Sequence, residues 1–129
     1  MPSTEPLTRP AAVKFKMVVL DVPAVRDFYT GVFGLYVVEE WNAPDDTGCI
    51  LALTDPPGDA LIEIYQGQQA HDFSGSCLQF KVADLDAFLR SLPEGICFEG
   101  PTERPWGSTY LKMSDPAGMP VVVFAGSSW

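Results

Sequence analysis

The stretch from Val13 to Tyr29, VKFKMVVLDVPAVRDFY, decides the fold because it predicts a short strand that runs directly into a helix. Polar and apolar residues alternate from Lys14 to Met17, a period of two that is typical of a strand with one buried face. Asp21 then stands where a helix N-cap accepts backbone N–H groups, and Pro23 suits the first helical turn. We therefore predict a strand followed by a capped helix that ends near Gly34.

The same pattern returns in the second half of the chain. The stretch SCLQFKVADLDAFLRSL, from Ser76 to Leu92, again places an Asp, Asp84, between an alternating segment and a helical one. Three further strands are predicted after each helix: Leu35–Trp41, Cys49–Thr54 and Ala60–Gln66 in the first half, and Ile96–Phe98, Ser108–Ser114 and Met119–Ala125 in the second. Each helix should cover one face of its sheet; in the first strand that face carries Phe15, Met17 and Val19.

Internal repetition at this period predicts an α+β fold of two βαβββ modules in one chain, with curved mixed sheets enclosing a cleft. We expect a single domain over residues 1–129, with modules at about 13–66 and 76–126 and a linker at 67–75. The segment Ala43–Gly48 is interpreted as a turn with Asp45 and Asp46 in a solvated loop. Asp115–Gly118 is interpreted as a second turn, and neither turn is given a chemical role.

Composition narrows the class of protein. The chain has 129 residues, of which 47% are hydrophobic and 19% charged, as in an ordinary globular domain. Its net charge of −9 argues against nucleic acid as a partner, since phosphate binding depends on Lys and Arg. No apolar run approaches the roughly 20 residues of a membrane helix, so no membrane association is expected and we predict a cytoplasmic protein with a short extended leader.

Cysteine and histidine usage argues against common metal sites and disulfide frameworks. Cys49, Cys77 and Cys97 have no C-x-x-C spacing, so they predict reduced thiols. His71 is the only histidine, which rules out a site with two histidines from one chain. We interpret it as a solvated loop residue.

Three segments together resemble the vicinal oxygen chelate superfamily, which includes glyoxalase I, dihydroxybiphenyl and other extradiol dioxygenases, fosfomycin-resistance enzymes and bleomycin-binding resistance proteins. They are the strand-D-helix-FY-x-x-x-x-G-L segment at Val13–Leu35, its echo at Cys77–Leu92, and the PWG to DPAG segment from Pro105 to Gly118. Their order and spacing cover nearly the whole chain. The resemblance implies a glyoxalase-like fold.

The resemblance also implies where a metal would bind. Metal-dependent members take ligands from the first and last strands of each module, which correspond here to Lys14, Glu63, Cys77 and Val122. Only Glu63 is the expected type of ligand, because lysine is a cation without an acceptor and valine cannot coordinate. We therefore expect no metal, no other cofactor and no catalytic residues, as in the drug-binding resistance proteins of the superfamily.

Register predicts which side chains face the cleft. The candidate ligand-binding residues are Lys14, Lys16, Trp41, Glu63, Tyr65, Cys77, Gln79, Trp106, Tyr110 and Lys112. All four lysines of the chain, these three and Lys81, are predicted to face it, which indicates a locally basic interior. We predict that Lys14 pairs with Glu63, since an unpaired buried charge is costly; the alternative is that the lysines at the strand end extend outward into water.

The roles of the two tryptophans and of Cys77 leave alternatives open. Trp41 and Trp106, beside predicted loops, are candidates for stacking on a planar ligand, or for closing the core or a dimer contact. Cys77 beside lysines would have a lowered pKa, but no histidine base accompanies it.

The leading prediction is a metal-free small-molecule binding protein that sequesters an aromatic natural product, such as an antibiotic, and acts as a homodimer. The alternative is a divergent metal-dependent lyase, isomerase or dioxygenase of the same superfamily, or metal-free acid–base chemistry by Lys14, Glu63 and Tyr110. A module that binds another protein is a third possibility. The acidic surface favours a cationic ligand, whereas the clustered lysines favour an anionic one.

Overall fold

The computed structural model describes residues 7–126, which form βαβββ twice in succession. The first half contains β1 (Val13–Val19), α1 (Val22–Phe33), β2 (Tyr36–Ala43), β3 (Asp46–Ala52) and β4 (Ala60–Gln66). The second contains β5 (Leu78–Lys81), α2 (Leu85–Ser91), β6 (Glu99–Glu103), β7 (Ser108–Ser114) and β8 (Pro120–Gly126).

Each half forms its own mixed four-stranded sheet. The N-terminal sheet has the order β1-β4-β3-β2, and the C-terminal sheet has the equivalent order β5-β8-β7-β6. The first strand of each half pairs in parallel with the last, and the remaining pairs are antiparallel. The predicted α+β fold of two βαβββ modules is confirmed.

Both helices begin at the predicted aspartates. Asp21 Oδ1 accepts a hydrogen bond from the Ala24 amide at 3.1 Å, and Asp84 Oδ1 accepts one from the Ala87 amide at 3.0 Å. Helix α1 ends at Gly34, whose φ of +66° lies in the left-handed region that glycine adopts without strain. The caps therefore fix where each strand gives way to its helix.

One buried core joins the two halves. It includes residues of both sheets and of α1, among them Met17, Leu51, Ile64, Val25, Tyr29, Leu111, Met113 and Val123. Because side chains alternate along a strand, the residues between these positions lie on the opposite side of each sheet. Each sheet thus has a core face and an outer face that points away from the shared core.

Three local predictions are wrong. The strand predicted at Ile96–Phe98 lies instead at Glu99–Glu103, because Ile96 packs against the core without pairing in the sheet. The predicted turn Ala43–Gly48 shrinks to Pro44 and Asp45, so β3 begins at Asp46. Helix α1 does not cover the whole predicted face of β1, since Phe15 remains 37% exposed.

Candidate ligand-binding site

Half of the predicted ligand-binding residues come together on the outer face of the N-terminal sheet. Here an open hollow of about 630 Å³, which we call the N-terminal hollow, is lined by Lys14, Lys16, Trp41, Glu63 and Tyr65. Glu39, Asp46 and Ile50 also line it. Every strand of the sheet contributes, so the hollow is built on paired backbone rather than on loops.

The predicted pair of Lys14 and Glu63 is confirmed. Lys14 Nζ lies 2.9 Å from Glu63 Oε1, and Lys16 Nζ lies 3.8 Å from Glu63 Oε2. Glu63 is only 8% exposed, whereas both lysine side chains remain nearly half exposed. A carboxylate removed from water needs such compensation, and two ammonium groups supply it here.

Trp41 packs over Gly48 of the neighbouring strand. Its indole Nε1 donates a hydrogen bond to Asp46 Oδ1 at 2.9 Å. Trp41 is opposite Gly48 in the β2–β3 register, and a Cβ added at Gly48 would lie 2.7 Å from Trp41 Cζ2. The indole therefore occupies the space that a side chain at this position would fill. Asp46 is exposed, as predicted, but it lies at the start of β3 and not in the predicted loop.

Tyr65 continues the same row of residues across the sheet, since it pairs with Gly48 in the β3–β4 register. Its pKa is raised, chiefly by its interaction with the Asp46 carboxylate. Lys16 Nζ lies over the Tyr65 ring, 4.3 Å from its centroid. One carboxylate thus interacts with both aromatic side chains of the hollow, while an ammonium group covers one face of the tyrosine.

The hollow is not basic, contrary to the prediction from the lysines. Its lining contains two lysines and three carboxylates, Glu39, Asp46 and Glu63. Both lysines approach the same carboxylate, Glu63, so they neutralise it rather than create a positive surface. The arrangement can accept cationic or neutral groups near Glu39 and Asp46.

The other half of the predicted residues lies on or beside the outer face of the C-terminal sheet. Gln79 and Lys112 both flank Val122 in the register, and Tyr110 pairs with Phe124. Trp106, 57% exposed, lies in the turn before β7 with its ring 6.2 Å from that of Tyr110. None of these residues is among the described residues that line the N-terminal hollow.

Cys77 lies just before β5, and the pKa of its thiol is raised. Partial desolvation raises the pKa of its thiol, and this outweighs the lowering effects of a hydrogen bond with the Val122 backbone and of the Lys112 charge. The predicted lowering of this pKa is therefore wrong. His71 lies between β4 and β5, exposed, as predicted.

The four positions that would hold the superfamily's metal do not fit one. Lys14 places its ammonium group against Glu63, the only oxygen donor of the set. Cys77 lies beside Val122, on the other sheet. Among residues 7–126, no three His, Cys, Asp or Glu side chains are grouped closely enough to hold a metal ion.

A buried polar contact that sequence reasoning missed joins the two halves of the chain. The Tyr29 hydroxyl of α1 donates a hydrogen bond to Asp115 Oδ2 at 2.7 Å, and both residues are buried. Asp115 Oδ1 also accepts from the amides of Ala117 and Met119. Burial, reinforced by the Asp115 carboxylate, raises the pKa of Tyr29. Asp115 thus organises the β7–β8 turn and anchors helix α1 to it.

Comparison with known protein families identifies the chain. Residues 11–123 match the model of the Glyoxalase/Bleomycin resistance protein/Dioxygenase superfamily. The chain belongs to this superfamily. No curated protein sequence matches the chain. No helix in the described part of the chain has the length and apolar character needed to cross a membrane.

Several solved structures share the fold of this chain at low sequence identity. TnmS3, an antibiotic binding protein from Streptomyces sp. CB03234, is 22% identical with a TM-score of 0.74, over 94% of this chain and 99% of that one. The fosfomycin resistance protein FosX from Listeria monocytogenes is 11% identical with a TM-score of 0.74, over 89% and 92% of the two chains. A glyoxylase/bleomycin resistance protein/dioxygenase domain from Frankia sp. EAN1pec is 17% identical with a TM-score of 0.68, over 95% and 100%.

Proposed function

We propose that this protein binds an aromatic small molecule in the N-terminal hollow without a metal, and that it sequesters an antibiotic or similar natural product. The observation that carries the proposal is the position of Lys14. Its ammonium group lies against Glu63, where metal-dependent members of the superfamily would place a ligand of the metal. Trp41 and Tyr65 line the same hollow and offer aromatic surface instead.

The size and chemistry of the hollow support binding. A volume of about 630 Å³ is within the range of small-molecule sites. Its polar groups are placed on strands, where packing and pairing restrict them. The fold shared with TnmS3, described as an antibiotic binding protein, is consistent with this function.

We further propose that the protein acts as a homodimer in which a partner subunit covers the hollow. The hollow is open in a single chain. A separate apolar groove, in which Val13 and Leu53 are more than half exposed, offers apolar surface that a partner subunit would cover. Trp106 is 57% exposed in the turn before β7, and in the proposed dimer it contacts a ligand held by the partner. Cys49, Cys77 and Cys97 are free thiols, which are compatible with the proposed cytoplasmic location.

The binding proposal is tested by titrating chelator-treated protein with acridone, a neutral planar aromatic compound, in a calorimeter. We expect one saturable site per chain, unchanged by the chelator. Trp41→Leu should weaken binding by about tenfold or more, because base-sized aromatic stacking contributes about 1–3 kcal/mol.

Tyr36→Leu is the matched control, since Tyr36 is an exposed aromatic residue on the same strand but does not line the hollow. Its affinity for acridone should stay within about twofold of the wild type. Absence of binding to the wild-type protein, or binding that requires an added divalent metal, would overturn the proposal. In the second case the metal-dependent enzyme becomes the better interpretation.

A further inference from the structure

Trp41 is the centre of a preformed arrangement on the N-terminal sheet. The Asp46 carboxylate fixes the edge of the indole at Nε1, and Gly48 leaves the space in which the ring lies. The indole lies over Gly48, and Trp41 also lines the hollow, so the ring is placed between the sheet and the open space. A ring already held in place loses little conformational entropy when a flat ligand stacks on it.

The charges around this ring are separated across the sheet. Lys14 and Lys16 lie on β1, at one edge, and their ammonium groups approach Glu63 on the neighbouring strand β4. Glu39 and Asp46 lie on β2 and β3, at the opposite side, near Trp41. Asp46 interacts with neutral donors, so its negative charge is not cancelled by them.

These features favour one class of ligand. The face of an indole ring is the best aromatic surface for a cation, and nearby carboxylates add Coulombic attraction. We propose that Trp41, positioned by Asp46 and Gly48, is a stacking platform that selects planar aromatic cations. This inference rests on the proposed function, and it assigns positioning roles to Asp46 and Gly48.

The test compares two acridine probes that share one ring system and differ in charge: the aminoacridine cation and the acridine carboxylate anion. Calorimetric titration of the full-length protein at neutral pH should give at least about tenfold tighter binding of the cation. The preference should decrease as salt is added, because screening weakens exposed charge interactions.

Asp46→Asn separates position from charge. The amide oxygen still accepts the Trp41 N–H bond, but the negative charge is lost. We expect acridone affinity to stay within about twofold and the cation-to-anion ratio to fall by about threefold or more. Asp46→Ala should weaken all three probes, since the indole then loses its fixed position. If Asp46 had only a general structural role, Asp46→Asn would not retain the acridone binding that Asp46→Ala weakens.

Asp45→Asn is the matched control for charge, because Asp45 is exposed in the adjacent turn and the substitution changes the net charge equally. Its cation-to-anion ratio should be unchanged. The inference would be overturned if the wild type bound the anion equally or more tightly than the cation, or if Asp46→Asn had the same cation-to-anion ratio as the wild type. In either case, binding of acridone would leave the proposed function supported. Failure of all three probes to bind would overturn both.

Discussion

Glu63 determines the character of the N-terminal hollow through its two lysine partners. The carboxylate is largely buried, and Lys14 Nζ at 2.9 Å is the closer of the two ammonium groups. Among residues 7–126, removing Lys14 leaves Glu63 with one ion-pair partner, Lys16, at 3.8 Å. Lys14 on β1 therefore stabilises the pairing of this strand with β4, which carries Glu63.

Lys14→Met should lower the free energy of unfolding by about 1–2 kcal/mol, a value between those of exposed and buried ion pairs because the lysine is partly solvated. Urea denaturation at low and high salt measures this loss of stability. Lys112→Met, an exposed lysine on the other sheet, should cost less than about 0.5 kcal/mol. The same loss for Lys14→Met in a Glu63→Gln background would contradict a specific pair.

The Lys14–Glu63 pair was predictable from the superfamily resemblance, which places both residues at positions of metal ligands, whereas the β1–β4 register sets Lys16, not Lys14, opposite Glu63. Asp46 was not predictable in the same way. Its role depends on a turn of only two residues, which brings Asp46 into β3 on the same side of the hairpin as Trp41. A loop assignment of six residues, Ala43–Gly48, concealed that relation.

Helix α1 and the β7–β8 turn are joined by one buried hydrogen bond across the two halves of the chain. The Tyr29 hydroxyl and Asp115 Oδ2 are 2.7 Å apart. The turn itself was predicted from its sequence, DPAG, but the partner of its aspartate was not. Local turn chemistry explains why Asp115 begins a turn, whereas a contact 86 positions away along the chain depends on how the halves pack.

Tyr29→Phe should lower the free energy of unfolding by about 1.5–3 kcal/mol, the range for a hydrogen bond to a charged group. Asp115→Ala should lower it by about 3 kcal/mol or more, since two backbone amides and the tyrosine hydroxyl lose their acceptor. Urea denaturation followed by circular dichroism checks both. Tyr36→Phe, on an exposed tyrosine, should change stability by less than about 0.5 kcal/mol. Equal stability of all three variants would contradict the anchoring role.

At the scale of the whole molecule, the repeat of strand, capped helix and three strands made the fold predictable. The arrangement of the two outer faces was harder to predict from the sequence. Alternation along a strand tells which residues share a face, but it does not tell which surface that face meets. The predicted cleft residues therefore fall into two groups, one around Glu63 and one around Tyr110, on two sheets whose opposite faces contribute to one core.

Native mass spectrometry of the full-length protein, with and without acridone, tests the central claim most directly, because one spectrum reports subunit number, bound metal and bound aromatic compound. The expected result is a dimer without stoichiometric metal that takes up one acridone per chain. A species that carries one Zn, Ni, Mn or Fe per chain and takes up no acridone would contradict the account.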